Sequence, residues 1–252
     1  MGITLSIDGE VARDVPVLLV CNHTSWLDIP VLSAVAPLSF VAKKEVGGWP
    51  FVSSLARLQR TVFVDRNRRQ ATGDAADEIS QRLSSGDTIV LFAEGTSSDG
   101  NRVLPFKTSL FAAAKPTLRI GAEPPEAVVQ TLSLVYTHLN GVPLGRSDRP
   151  LVGWYGDMEM TGHAWQLLMA GSLDARIRIG APVPLSAFTD RKALARHSED
   201  EIRRNVVAIL RARPNGEVVV PTAPSEELLR STRQRPAAPE PTSGTGAPRN
   251  WT

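Results

Sequence analysis

Six short runs rich in apolar and β-branched residues, at 17–21, 39–42, 61–64, 88–92, 131–136 and 176–179, constrain this chain more than any other feature. Several are apolar at every position, not at alternate ones. A strand of that kind needs cover on both faces, which parallel sheets obtain from their crossover helices. The stretches between them, at 26–35, 48–58, 71–83, 110–114 and 199–212, have helical character. The alternation predicts an α/β fold with a mostly parallel or mixed sheet flanked by helices. In such sheets, ligands bind at the carboxyl ends of the strands.

With 252 residues, 42% of them hydrophobic and 21% charged, the chain has enough apolar surface for such a core. From residue 221 the composition turns to proline, serine, threonine and charge, with six prolines in that stretch and Trp251 as its one large apolar side chain beyond Leu229. Such a stretch cannot offset its ordering entropy, so the sequence predicts a folded domain over 1–220 and a disordered Pro-rich tail over 221–252. The single cysteine, Cys21, excludes an internal disulfide framework. No apolar run approaches the ~18 residues of a spanning helix. The start, MGITLSIDGE, lacks the basic-then-apolar form of a signal peptide. These features predict a location in the cytoplasm or on the cytoplasmic face of a membrane.

A net charge of +2 is too small to imply nucleic acid, but five arginines against Asp65 crowd the segment 57–69. A patch of that sign favours an anionic partner such as a phosphate, a lipid headgroup or an acidic carrier protein, and a solvated surface turn is the plainer alternative. His138, His163 and His197 have no metal-ligand spacing, and no metal is assigned.

Three motifs fall at strand ends. The run 17–21 leads into Asn22-His23-Thr24-Ser25-Trp26-Leu27-Asp28, which holds a histidine and, five positions on, a carboxylate. These are the ingredients of a general base and the group that orients it. Five positions on one regular helix separate the two by about 140°, so they meet only if His23 stays in the turn before the helix. The same residues also fit an S-x-x-D capping box from Ser25 to Asp28, which makes Asp28 a helix cap and His23 a loop residue. The spacing leaves both readings open. The second motif, Thr61 to Arg66, ends a strand on an arginine that can fork onto a phosphate or carboxylate. The third, Thr88 to Gly100, delivers Glu94, Gly95 and Thr96 to a strand end, where backbone amides and hydroxyls can meet an anionic or polyol ligand.

The ordered set NHTSWLD, TVFVDR and LFAEGTSS resembles the lysophospholipid and 1-acylglycerol-3-phosphate O-acyltransferase family, whose hallmark is Asn-His, four residues, then Asp. The likeness by motif covers residues 15–115 and is similar to bacterial lyso-ornithine lipid acyltransferases. It implies a single acyltransferase domain in which His23 takes the proton of an acceptor hydroxyl and Asp28 holds and polarises His23. The hydroxyl then attacks the thioester of acyl-CoA or acyl carrier protein. No acyl-enzyme and no cofactor are needed, and Cys21 is a packing residue. By the same resemblance, Asn22, Arg66, Glu94, Gly95 and Thr96 are substrate-binding positions. Lys43, within Ala42-Lys43-Lys44-Glu45-Val46, is an anion or oxyanion contact. The implied partners are a lyso-lipid acceptor, the thioester donor and a membrane surface.

Two departures matter. Where lysophosphatidate enzymes show Phe-Pro-Glu-Gly-Thr-Arg-Ser, this chain has Ala93 for the proline and Ser97 for the arginine, which favours a less anionic acceptor such as a lyso-ornithine lipid. Trp154-Tyr155-Gly156-Asp157-Met158 is similar to the bacterial members of that kind, and a fourth family motif is represented at best by Leu134 to Thr137 with Val142-Pro143. The first expected strand also follows little more than MGITLSIDGEVARD, where members commonly carry a hydrophobic or amphipathic helix, so either the start is truncated or docking relies on other surfaces. The arginine-rich segment and Trp49, Pro50, Phe51 and Val52 are then the candidates for interfacial contact. The rival reading is a catalytically inactive, membrane-associated lipid-binding scaffold of the same fold.

Overall fold

The computed structural model describes residues 2–43, 62–64, 79, 81–83, 85–113 and 126–212, with the backbone alone at 41–43, 62–64 and 113. The expected helix at 48–58, the apolar residues 49–52, Arg66 and the Pro-rich stretch from 221 lie outside the described residues.

Among the described residues, nine strands form one mixed sheet: β1 (Ile3–Asp8), β2 (Val17–Cys21), β3 (Ser39–Lys43), β4 (Val62–Val64), β5 (Thr88–Phe92), β6 (Val128–Leu139), β7 (Val142–Pro143), β8 (Leu173–Ile179) and β9 (Val183–Pro184). The order across the sheet is β1-β8-β6-β2-β5-β3-β4, with β7 and β9 paired to β6. The block β6-β2-β5-β3-β4 is parallel throughout. β8 runs antiparallel to β6 and carries β1 parallel to itself on the far edge. The predicted α/β class with a mixed sheet is the fold observed.

Three helices are described: α1 (Asp28–Ser33), α2 (Met160–Ala170) and α3 (Arg191–Arg211). The expected helix at 110–114 is a 3-10 turn over Thr108–Ala113. Of the expected 71–83 helix, residues 79 and 81–83 are helical. α3 begins eight residues before the expected 199, because the Asp190 carboxylate caps it by accepting from the Lys192 and Ala193 N–H groups at 2.7 and 2.8 Å. α2 and β1 have no counterpart among the elements expected from sequence. β1 is an edge strand with its side chains half-buried or exposed, so its alternation is shallow.

The continuous apolar runs have the predicted cause. Along β2, Leu18 and Val20 enter one core with Leu194, Ile202 and Val206 of α3. Val17, Leu19 and Cys21 enter a second core with Val31 and Leu32 of α1 and Leu167 of α2. Every residue of β2 is buried because helices cover both faces.

Candidate active site

Register brings the first and third motifs together. Cys21 pairs with Phe92 on β5 and with Leu132 on β6, so the chain leaving β2 emerges between the chain leaving β5 and the continuing strand β6. Asn22 follows directly. Its amide donates to the Leu134 carbonyl at 2.9 Å, and its Oδ1 accepts the Leu134 N–H at 2.9 Å. A side chain thus extends the ladder by one rung and fixes where the chain turns. Asn22 is buried by this pairing.

His23 then sits in the turn before α1. Its N–H donates to Glu94 Oε1 at 2.8 Å, while its carbonyl accepts from the Ser98 N–H at 3.0 Å and the Ser98 hydroxyl at 3.2 Å. The third motif grips the backbone of the histidine from both sides. The imidazole lies against Phe92 with ring centroids 4.1 Å apart and planes 21° from parallel.

The His23 Nδ1 lies 2.8 Å from Asp28 Oδ2. That same oxygen accepts the N–H groups of Thr24 at 2.7 Å and Ser25 at 3.0 Å, and Oδ1 accepts the Tyr136 hydroxyl at 2.8 Å. A fully buried carboxylate surrounded by donors acts as an acceptor, so the His23 proton is on Nδ1. Its Nε2 carries the free lone pair and has no hydrogen-bond partner among the described residues. The two readings left open by the spacing are therefore both realised in one carboxylate. Asp28 makes its half of the capping box on the Ser25 N–H and holds His23 at the same time. The other half is absent, because the buried Ser25 hydroxyl has no partner among the described residues.

Glu94 is 1% exposed, and its second oxygen accepts the Leu104 N–H at 2.7 Å. Burial pushes its carboxyl up to about 7, with the two backbone N–H groups pulling back and Asp28 and Glu199 adding to the rise. Burial, reinforced by Asp28 and Glu94, also pushes the Cys21 thiol up, so Cys21 is a neutral packing group and not a nucleophile. Gly95 follows with φ +70°, a left-handed conformation that a residue without Cβ adopts freely, and this lets the chain reverse after β5. Thr96 is exposed at the loop tip. Lys43 ends β3, with only its backbone described.

The segment after residue 152 closes over this loop. The Trp154 N–H donates to the Thr24 carbonyl at 3.0 Å, and the Ser97 hydroxyl donates to the Trp154 carbonyl. Ser97 therefore turns toward 154. The indole of Trp26, inside the first motif, donates to Nδ1 of buried His163 at 3.0 Å, and His163 Nε2 donates to the Leu151 carbonyl at 3.1 Å. Tyr136, Phe92, Ser98 and His163 were not singled out as site residues from sequence. Each touches the first motif across a long sequence separation; Phe92 and Ser98 lie within the third motif and Tyr136 within the weak fourth, whereas nothing local marked His163.

A model of the Acyltransferase family matches residues 3–134. The lyso-ornithine lipid O-acyltransferase of Brucella abortus is 51% identical over 202 residues, covering 80% of this chain and 75% of that one. The lyso-ornithine lipid O-acyltransferase of Rhizobium meliloti is 41% identical over 215 residues, covering 84% and 73%. Among solved structures, the 1-acyl-sn-glycerophosphate acyltransferase PlsC from Thermotoga maritima superposes with a TM-score of 0.59 at 26% identity, covering 85% of this chain and 74% of that one.

Proposed function

Because the chain belongs to the acyltransferase family, we propose that it moves a fatty acyl group from a thioester, acyl-CoA or acyl carrier protein, to the hydroxyl of a lyso-lipid, with lyso-ornithine lipid the preferred acceptor. One observation carries the chemistry: Asp28 engages Nδ1 of His23 and leaves Nε2 unspent. In this reading Nε2 takes the proton as the acceptor oxygen bonds to the thioester carbonyl carbon. The tetrahedral adduct then expels the thiolate, which takes the proton back from the imidazolium. An ester and a free thiol leave, and the histidine returns to its starting state. The stack on Phe92 and the bonds to the His23 backbone hold the ring before substrate arrives, so little reorganisation is needed during reaction.

Glu94 and Asn22 act as positioning groups in this scheme, since their polar atoms are committed to the backbone at Leu104, His23 and Leu134. Arg66, Lys43, Gly95 and Thr96 remain the residues assigned to the acceptor and the developing oxyanion. The acceptor choice draws on the likeness to two lyso-ornithine lipid O-acyltransferases and on Ser97, which stands where the Phe-Pro-Glu-Gly-Thr-Arg-Ser pattern has arginine. A lipid acceptor places the reaction at a membrane surface, on the cytoplasmic face where thioesters are made. No described helix is long and apolar enough to cross a membrane. The domain is assigned to 1–220.

The test is a transfer assay in mixed micelles with acyl-CoA or acyl carrier protein and a pair of acceptors, lyso-ornithine lipid and 1-acylglycerol-3-phosphate, read by product mass. Wild-type product with the first acceptor, absent in His23→Ala, is the expected result. Equal use of both overturns the acceptor choice. No product from a folded protein that binds lipid favours the inactive scaffold.

A further inference from the structure

We propose that Tyr136 is a positioning residue of the transfer reaction, acting on His23 through Asp28 by donating its hydroxyl to the carboxylate oxygen that the histidine does not use. This rests on the reading of His23 as the base.

β6 is the strand that joins the two directions of the sheet. Its first half runs parallel to β2 at Val128 to Leu132, and its second half runs antiparallel to β8, with an irregularity between Tyr136 and His138. Because β2 stops at Cys21, the second half of β6 projects beyond it and forms the floor under the Asn22 to Asp28 loop. Leu134 meets Asn22 there, and two residues on, on the same face of the strand, Tyr136 meets Asp28.

The tyrosine is 4% exposed, and its hydroxyl lies 2.8 Å from Asp28 Oδ1. The other carboxylate oxygen carries three donors, including His23 Nδ1. Among the described residues, Oδ1 accepts from Tyr136 alone. Removing that hydroxyl leaves one lone acceptor on a fully buried anion, with two consequences. The carboxylate is then anchored through Oδ2 alone, so its plane is less firmly set and the aim of the ring it holds loosens. More negative charge also falls on the oxygen facing His23, so the imidazolium is favoured and the neutral base is reached at higher pH. The other titratable groups around the pair are Cys21 of β2 and Glu94 after β5, both outside this bond.

The decisive variant is Tyr136→Phe, which removes one oxygen and keeps the ring. The expected result is a fall in kcat of about tenfold, the size of one lost hydrogen bond to a charged group, with acceptor KM changed less than twofold. The acid limb of the kcat/KM profile moves to higher pH by about half a pH unit. In an Asp28→Asn background the same substitution has no further effect on kcat. A kcat and an acid limb both unchanged, or a full additional tenfold loss in Asp28→Asn, overturns the proposal, as does a raised KM with an unmoved acid limb.

If Tyr136→Phe does not fold, 3-fluorotyrosine at 136 retains the contact and sharpens the donor, and the acid limb is then expected to move to lower pH. An unmoved limb overturns the proposal. A readout that needs no substrate separates failure of this inference from failure of the acyltransfer reading. The ¹H resonance of His23 Nδ1–H should move downfield in Tyr136→Phe and upfield in the fluorotyrosine protein. A resonance unmoved in both overturns the link through Asp28 whether or not any acceptor is acylated.

Discussion

His23 and His163 are two imidazoles held within one stretch of contacts, and they differ in which nitrogen is left over. His163 is 4% exposed and spends both nitrogens: Nδ1 accepts from Trp26, and Nε2 donates to Leu151. It is fixed as the Nε2–H tautomer and joins α2 to the loop beneath. His23 has a side chain 17% exposed, donates from Nδ1 to Asp28, and keeps Nε2 open, so it is fixed as the opposite tautomer. Burial and hydrogen bonding alone do not mark a reactive histidine. The mark is an oriented ring with one nitrogen uncommitted and reachable.

The most direct way to break this comparison is to remove each ring. His23→Ala is expected to lower kcat/KM by at least about 10³-fold while leaving the melting temperature within a few degrees, since the ring is partly exposed. Transfer assays beside thermal denaturation check it, and residual activity within about tenfold of wild type removes His23 from the role of base.

A sharper comparison concerns the grip on the His23 backbone. Glu94 has a carboxyl raised to about 7 by burial, so the protonated form is favoured in the fold relative to the unfolded chain. The sign follows: its contribution to stability is fully present below about 4.5 and is lost as pH rises through about 7, by roughly 3 kcal/mol. Denaturant unfolding at pH 5 and pH 8 should show this slope in wild type and a flatter one in Glu94→Gln. Equal slopes in the two proteins would remove the assignment.

His163→Phe comes next. It leaves the Trp26 N–H and the Leu151 carbonyl without their partner, at a cost of roughly 2 kcal/mol, whereas kcat per folded molecule should change less than it does in His23→Ala. If His163→Phe silences transfer without loss of stability, the distinction between the two histidines fails. The smallest effect is expected where the two regions join. Ser97→Ala removes the bond to the Trp154 carbonyl. It should cost about 1 kcal/mol in unfolding free energy and show more in acceptor KM than in kcat.

The parts of this site that were legible in the sequence are local. His23 and Asp28 lie five residues apart, and the requirement that His23 stay in a turn is met because α1 begins at Asp28. Strand runs at β2 and β5 were readable because both faces of the sheet are covered, so every position of β2 and all but Thr88 of β5 are apolar. The uncharged helix α2 was missed, since its residues Trp165, Leu168 and Met169 are exposed and blur the apolar face set by His163 and Leu167. The family resemblance makes Glu94 and Asn22 substrate-binding positions, and for Glu94 its place at a strand end points the same way. In the structure both are turned onto backbone groups 10 to 112 residues away.

By itself the sequence determined the alternation of buried strands and helices, the order of the motifs, and a histidine–carboxylate pair close enough to meet. Those properties depend on periodicity and short spacing, which a linear chain records directly. Only the tertiary structure decided which oxygen of Asp28 each donor receives, which nitrogen of His23 stays free, and that Tyr136, 108 residues from Asp28, completes the carboxylate's shell. A hydrogen bond fixes distance and direction between atoms that sheet register brings together. Here that register comes from β2 ending where β6 continues.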